Sequence, residues 1–192
     1  MKKIFILFFT VIILAACTNE SADEKKDPDT NTETGEEADA GSTEQGTEKK
    51  DVYQIGETAV ITSDMYDFDY EVTVNNFELA KEVEGVKIDE FLSGADDTDR
   101  FAVIEVTIKN ISDEAYVPNE MFSANFSEID EEAGHISEDD FFTERDEELA
   151  PGEAITGPVV FLAGIDEADT FLMKYEVMTD EETHFELPNP EK

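Results

Sequence analysis

Hydrophobic and polar positions divide the 192-residue chain into three stretches. The first is short and apolar: after Met1, Lys2 and Lys3, the run from Ile4 to Ala16 is broken only by Thr10 and stops at Cys17. The second, Thr18 to Asp51, contains no Val, Ile, Leu, Met or aromatic residue. The third, residues 52–192, carries nearly all the remaining apolar side chains, and many of them recur at every second position.

Period two is the signature of a strand with one face in a core and one in water. Tyr70, Val72 and Val74 alternate with Glu71 and Thr73. Ala102, Ile104, Val106 and Ile108 alternate with Val103, Glu105, Thr107 and Lys109. Further strands are expected over Thr58–Ile61, Phe122–Phe126, Ile155–Leu162, Phe171–Val177 and, as a last edge strand, Thr183–Leu187. Turns separate them at Asn110–Glu114, Glu131–Gly134 and Leu149–Glu153, where Pro151 presets φ and Gly152 accepts a positive one. The long connection from Ala80 to Arg100 is expected to hold a short helix around Ile88–Leu92. About seven short strands with turns between them predict one all-β domain over residues 52–192, a two-sheet sandwich.

The apolar run near the start is too short to cross a bilayer. Its thirteen residues span roughly 20 Å as a helix, against a hydrocarbon core of ~30 Å. Residues 1–16 are therefore expected to be a signal peptide. Leu14-Ala15-Ala16-Cys17 resembles the bacterial lipobox, which implies cleavage before Cys17 and attachment of a diacylglycerol to its thiol. Two acyl chains suffice for stable anchoring. Cys17 is the only cysteine, so no intramolecular disulfide is available. Residues 17–51 are then a disordered acidic linker, since nothing in them offsets the entropy of ordering. Its 34 residues beyond the cysteine would span roughly 30 Å as a flexible coil and about 110 Å fully extended.

A second resemblance lies in the strands. Phe101-Ala102-Val103-Ile104-Glu105-Val106-Thr107-Ile108-Lys109-Asn110 is similar to the central signature of a bacterial family catalogued as domain of unknown function 4352. Leu149-Ala150-Pro151-Gly152-Glu153 followed by Gly157-Pro158-Val159-Val160-Phe161 resembles its second signature, and Ile55-Gly56-Glu57 with Tyr70–Val74 fits its opening. The match spans most of residues 53–178. It implies an immunoglobulin-like β-sandwich on secreted and lipid-anchored proteins, and it supplies no catalytic residue.

Charge narrows the partners. The formal charge is −37, and residues 52–192 hold 38 acids against seven bases. Phosphate backbones need clustered Lys and Arg, so no nucleic-acid partner is expected. Direct binding to anionic headgroups is disfavoured for the same reason. So many like charges repel across a folded surface, a cost that high salt or divalent cations would reduce.

Few residues suggest chemistry. Asp96, Asp97 and Asp99 place three carboxylates in one loop and are the candidate calcium ligands, although no D-x-D-x-D-G pattern occurs. Glu128–Glu132 and Glu138–Asp140 are further acidic runs. His135 and His184 fall short of a zinc set and read as surface residues. No G-x-S-x-G nucleophile motif is present, and no acid pair stands out for glycoside cleavage. No cofactor and no catalytic residue are expected.

Aromatic residues remain. Tyr66, Phe68 and Tyr70 lead into a strand and are expected to cover the sandwich edge or cap the core. Phe141 and Phe142 sit side by side in an acidic loop, where burying both rings is difficult; they are the candidate contact site. The expected function is display of a non-catalytic binding domain, lipid-anchored at the cell membrane on its extracytoplasmic side, with an envelope protein as partner. The alternative is an acidic, protective surface coat suited to high salt or divalent cations.

Overall fold

The computed structural model describes Lys50 and residues 52–192. The signal segment, Cys17 and the linker to Lys49 lie outside the described residues. Strands β1 (Val52–Gln54), β2 (Thr58–Thr62) and β3 (Asp69–Ala80) come first. A small hairpin, β4 (Glu82–Val83) and β5 (Val86–Lys87), leads into helix α1 (Ile88–Phe91) and the long strand β6 (Asp99–Asn110). Helix α2 (Pro118–Met121), β7 (Ala124–Glu128), β8 (His135–Ile136) and two 3₁₀ turns at Asp139–Phe141 and Thr143–Asp146 follow. Strands β9 (Ala154–Gly164), β10 (Thr170–Tyr175) and β11 (Thr183–Pro188) complete the domain.

These strands form two sheets. One has the order β2-β3-β6-β9, the other β1-β11-β10-β7-β8. The architecture is an immunoglobulin-like β-sandwich, with its own connection order. The third long strand, β6, stays in the sheet of β2 and β3, whereas the immunoglobulin plan sends its third strand to the opposite sheet. The chain then crosses to β7, back to β9 and across again to β10.

The core lies between the sheets. Ala102, Ile104, Val106 and Ile108 all face it, as their alternation predicts. Phe126 stacks on Phe171 in its own sheet and on Phe161 of the other, with centroids 4.9 and 5.3 Å apart. The opposite face of β6 is not uniformly wet. Phe101 and Val103 lie in a second apolar cluster with Val83, Ile88, Phe141 and Val160, covered by α1 and its hairpin. Only the other half of that face is polar. There Lys109 pairs with Glu71 at 2.9 Å, and the hydroxyls of Thr107 and Thr156 are 2.8 Å apart.

Two expectations about strands change. Strand β3 runs to Ala80 rather than ending near Val74, because a bulge between Val74 and Asn76 shifts the inward set from Tyr70, Val72 and Val74 to Phe77 and Leu79. Strand β11 is not an edge: β1 pairs with it in parallel, Val52 opposite His184, and seats Tyr53 in the core 5.5 Å from Phe185.

Candidate functional site

Asp96, Asp97 and Asp99 share a loop, but their carboxylates serve the loop itself. Asp96 Oδ1 accepts the N–H and the hydroxyl of Thr98 at 2.8 and 2.6 Å, which holds its carboxyl below the usual range. Asp99 Oδ2 accepts the Asp96 N–H at 2.7 Å, and Asp97 stands 3.9 Å from Lys81 Nζ. Arg100 closes the turn by donating to the carbonyls of Asp97 and Asp99. The expectation of a gathered calcium set is corrected accordingly: among the described residues no three His, Cys, Asp or Glu side chains come together as a metal site.

His135 and His184 are also kept apart. His135 is opposite Phe126, which is opposite Met173, which is opposite Phe185, the neighbour of His184. Three strand spacings separate them by about 14 Å. His184 pairs instead with Glu182 at 2.5 Å, just before its own strand begins.

The aromatic pair is a correction as well. Phe141 and Phe142 are 6% and 1% exposed, so neither offers a contact surface. The backbone bridge between Glu138 and Val160 leads their segment along the free edge of β9. There the two neighbouring side chains fall on opposite faces of the sheet. Phe141 joins Phe101 and Val160 on the outer face, and Phe142 enters the core between the sheets. Gly157 makes room for it: a Cβ there would lie 2.4 Å from Phe142 Cε2. Arg145 lies over the Phe142 ring at 5.5 Å and bonds Asp139 at 3.3 Å.

Exposed apolar side chains gather elsewhere, at the end of the sandwich where β2 meets β3 and β10 meets β11. Met65, Tyr66 and Met178 are 79%, 45% and 78% exposed. Their loops are held from beneath. Glu176 accepts the Asp64 N–H at 3.1 Å and the Tyr70 hydroxyl at 3.0 Å, tying the β10–β11 loop to the β2–β3 loop. Burial, with the Glu176 charge beside it, pushes the Tyr70 hydroxyl well above its ordinary pKa. Under the loops an aromatic column descends from Tyr66 through Phe68 and Tyr116 to Phe122, Tyr70 and Tyr175.

Asp67, Glu176 and Met178 in these loops hold positive φ of 55°, 50° and 65°. Left-handed backbone at non-glycine residues is costly and persists only where surrounding contacts impose it. Two depressions open here, about 500 and 270 Å³, and Tyr66 and Met121 line both. The sequence offers Tyr66 both as cover for the sandwich edge and as part of an aromatic contact patch; the structure leaves it 45% exposed. Met65 beside it, in a short polar turn, was the available signal.

The two packed sheets define the class of protein as a β-sandwich. The profile described as Domain of unknown function (DUF4352) matches residues 53–183, and the chain belongs to that family. No curated protein matches the chain.

Three solved structures are similar. One is described as a "putative lipoprotein (ycdA)" from Bacillus subtilis subsp. subtilis str. 168, at 11% identity and a TM-score of 0.43, covering 68% of this chain and 38% of that one. Another is a conserved hypothetical protein from Bacillus anthracis, at 19% identity and 0.39, covering 66% and 96%. The third is an uncharacterized β-sandwich protein from Clostridium difficile 630, at 21% identity and 0.39, covering 72% and 95%. Among the described residues no helix is long and apolar enough to cross a membrane.

Proposed function

We propose that this is a lipid-anchored cell-envelope protein, held through Cys17 on the extracytoplasmic side, whose sandwich is a non-catalytic binding module. We place its contact surface at the loop end around Met65, Tyr66 and Met178. One observation carries this reading: three apolar side chains stand in solvent on loops that Glu176 and the aromatic column hold in fixed, partly strained conformations. Loops on a stiff scaffold are where binding residues concentrate. Exposed Met and Tyr supply contact area, the Met side chains by adapting in shape and the Tyr by presenting a rigid ring.

The test uses the full chain. Replacing Cys17 by Ser should release it from the membrane fraction. Capture from solubilised envelope by the full chain should retain a discrete protein that is lost with Met65→Ala, Tyr66→Ala and Met178→Ala combined. Retention of the same protein by the triple variant would move the contact surface away from this end.

The second reading, an acidic surface coat suited to high salt, is supported by how the bases are used. Arg100 and Lys174 donate to main-chain carbonyls, Lys174 to those of Glu131 and Glu132 at 2.5 and 3.1 Å, which leaves the large excess of surface carboxylate less relieved.

A further inference from the structure

The groove's chemistry narrows its partner, given that the loop end is the contact surface. Asp64, Glu120 and Glu176 line the larger depression, and Asp67, Asp113 and Glu114 the smaller. No Lys, Arg or His lines either one. Between the carboxylates stand the ring of Tyr66 and the thioether of Met121, which border both depressions. Carboxylates around an aromatic face form a surface complementary to a cation on an apolar stem.

A further observation points to a missing partner. Tyr116 lines the smaller depression, is more than nine-tenths buried, and its hydroxyl has no hydrogen-bond partner. A buried hydroxyl left unpaired is costly. The hydroxyl is itself covered, so the N–H or C=O of an incoming main chain would supply the bond once the rim of the depression shifts.

We infer that the loop-end groove binds an extended basic segment of a partner protein, in which Lys or Arg alternates with apolar residues. Two depressions that share Tyr66 and Met121 suit an elongated occupant that places one side chain in each. A compact ligand would fill one and leave the other open. Charge complementarity selects the sign, and Tyr66 with Met121 selects against a purely polar chain.

The experiment measures fluorescence anisotropy of the full chain with three labelled ten-residue peptides, alternating Lys with Val, Glu with Val, and Lys with Ser. The Lys–Val peptide is expected to bind best. Tyr66→Ala and Glu120→Gln should each weaken it by about tenfold. Tyr116→Phe should weaken it with no loss of thermal stability, because it removes only the unpaired hydroxyl. Glu90→Gln, on the exposed face of α1, should change nothing.

If Lys–Ser binds as well as Lys–Val, or Glu90→Gln costs as much as Glu120→Gln, the attraction belongs to the whole acidic surface and the inference fails. If Glu–Val binds instead and Tyr66→Ala abolishes it, the contact surface survives and the basic partner does not. Absence of binding by all three peptides also overturns the inference, while the envelope capture described above judges the contact surface separately.

Discussion

Replacing Phe142 by Ala should destabilise the domain severely, whatever it does to partner binding. The ring is buried between the sheets, packed over the bare Cα of Gly157 and beneath the Arg145 guanidinium. Truncating a buried Phe to Ala typically costs ~3–5 kcal/mol, part of it the cavity left behind. Loss of the cation–π contact adds about 0.5–1 kcal/mol. For a domain of this size that lowers Tm by roughly 10–15 °C.

Gly157→Ala attacks the same contact from the other side. A Cβ 2.4 Å from the ring forces Phe142 to move, an overpacking expected to cost ~1–3 kcal/mol. Combined, the two changes should cost less than their sum, since the new methyl partly fills the space the ring vacates. Circular-dichroism melts of the full chain and its three variants provide the cycle. Strict additivity, or a Phe142→Ala protein that melts like the parent, would refute the placement of this ring against Gly157.

Three further outcomes follow from the structure. Tm should rise by at least a few degrees between about 0.1 and 1 M NaCl, as the screening length falls from ~10 to ~3 Å; a fixed or falling Tm removes the support for salt adaptation. Burial raises the hydroxyl pKa values of Tyr70, Tyr116 and Tyr175. Because the unfolded phenol titrates near 10, their contribution to stability is complete below about pH 10 and falls as pH rises beyond it. Melts and tyrosinate absorbance across that range check this, and titration of all three inside a still-folded chain near pH 10 would contradict it. Asn110 is fully buried and fully bonded: its amide donates to the carbonyls of Glu114 and Leu149, and its oxygen accepts the Ser112 N–H and hydroxyl. Asn110→Ala should therefore cost about 2–4 kcal/mol in denaturant unfolding, and a loss under 1 kcal/mol would show the loop repacks.

The fold was legible where period two was unbroken. Alternation from Ala102 to Ile108 placed β6 in the core, and Pro151-Gly152 marked the turn before β9. It failed where a local pattern is interrupted for a non-local reason. The bulge at Asn75 reverses the phase of β3 and hides its second half. Strand β1 has three residues and exists through its parallel pairing with β11, far along the chain.

Phe141 and Phe142 were misplaced because adjacency in a loop says nothing about the strand edge it crosses. What buries Phe142 is the gap at Gly157, in a strand that forms later in the chain. The loop-end surface was hardest to see. Met65 and Met178 are far apart in sequence, and the Glu176 bonds to Asp64 and Tyr70 bring their loops together.

The central claim is that the loop end around Tyr66 faces a partner at the envelope. A photoreactive phenylalanine analogue in place of Tyr66, irradiated in intact cells, tests it most directly beside the same residue in place of Glu90. A discrete cross-linked protein is expected at position 66 and none at position 90. Equal labelling at both positions, or labelling only at position 90, would contradict it.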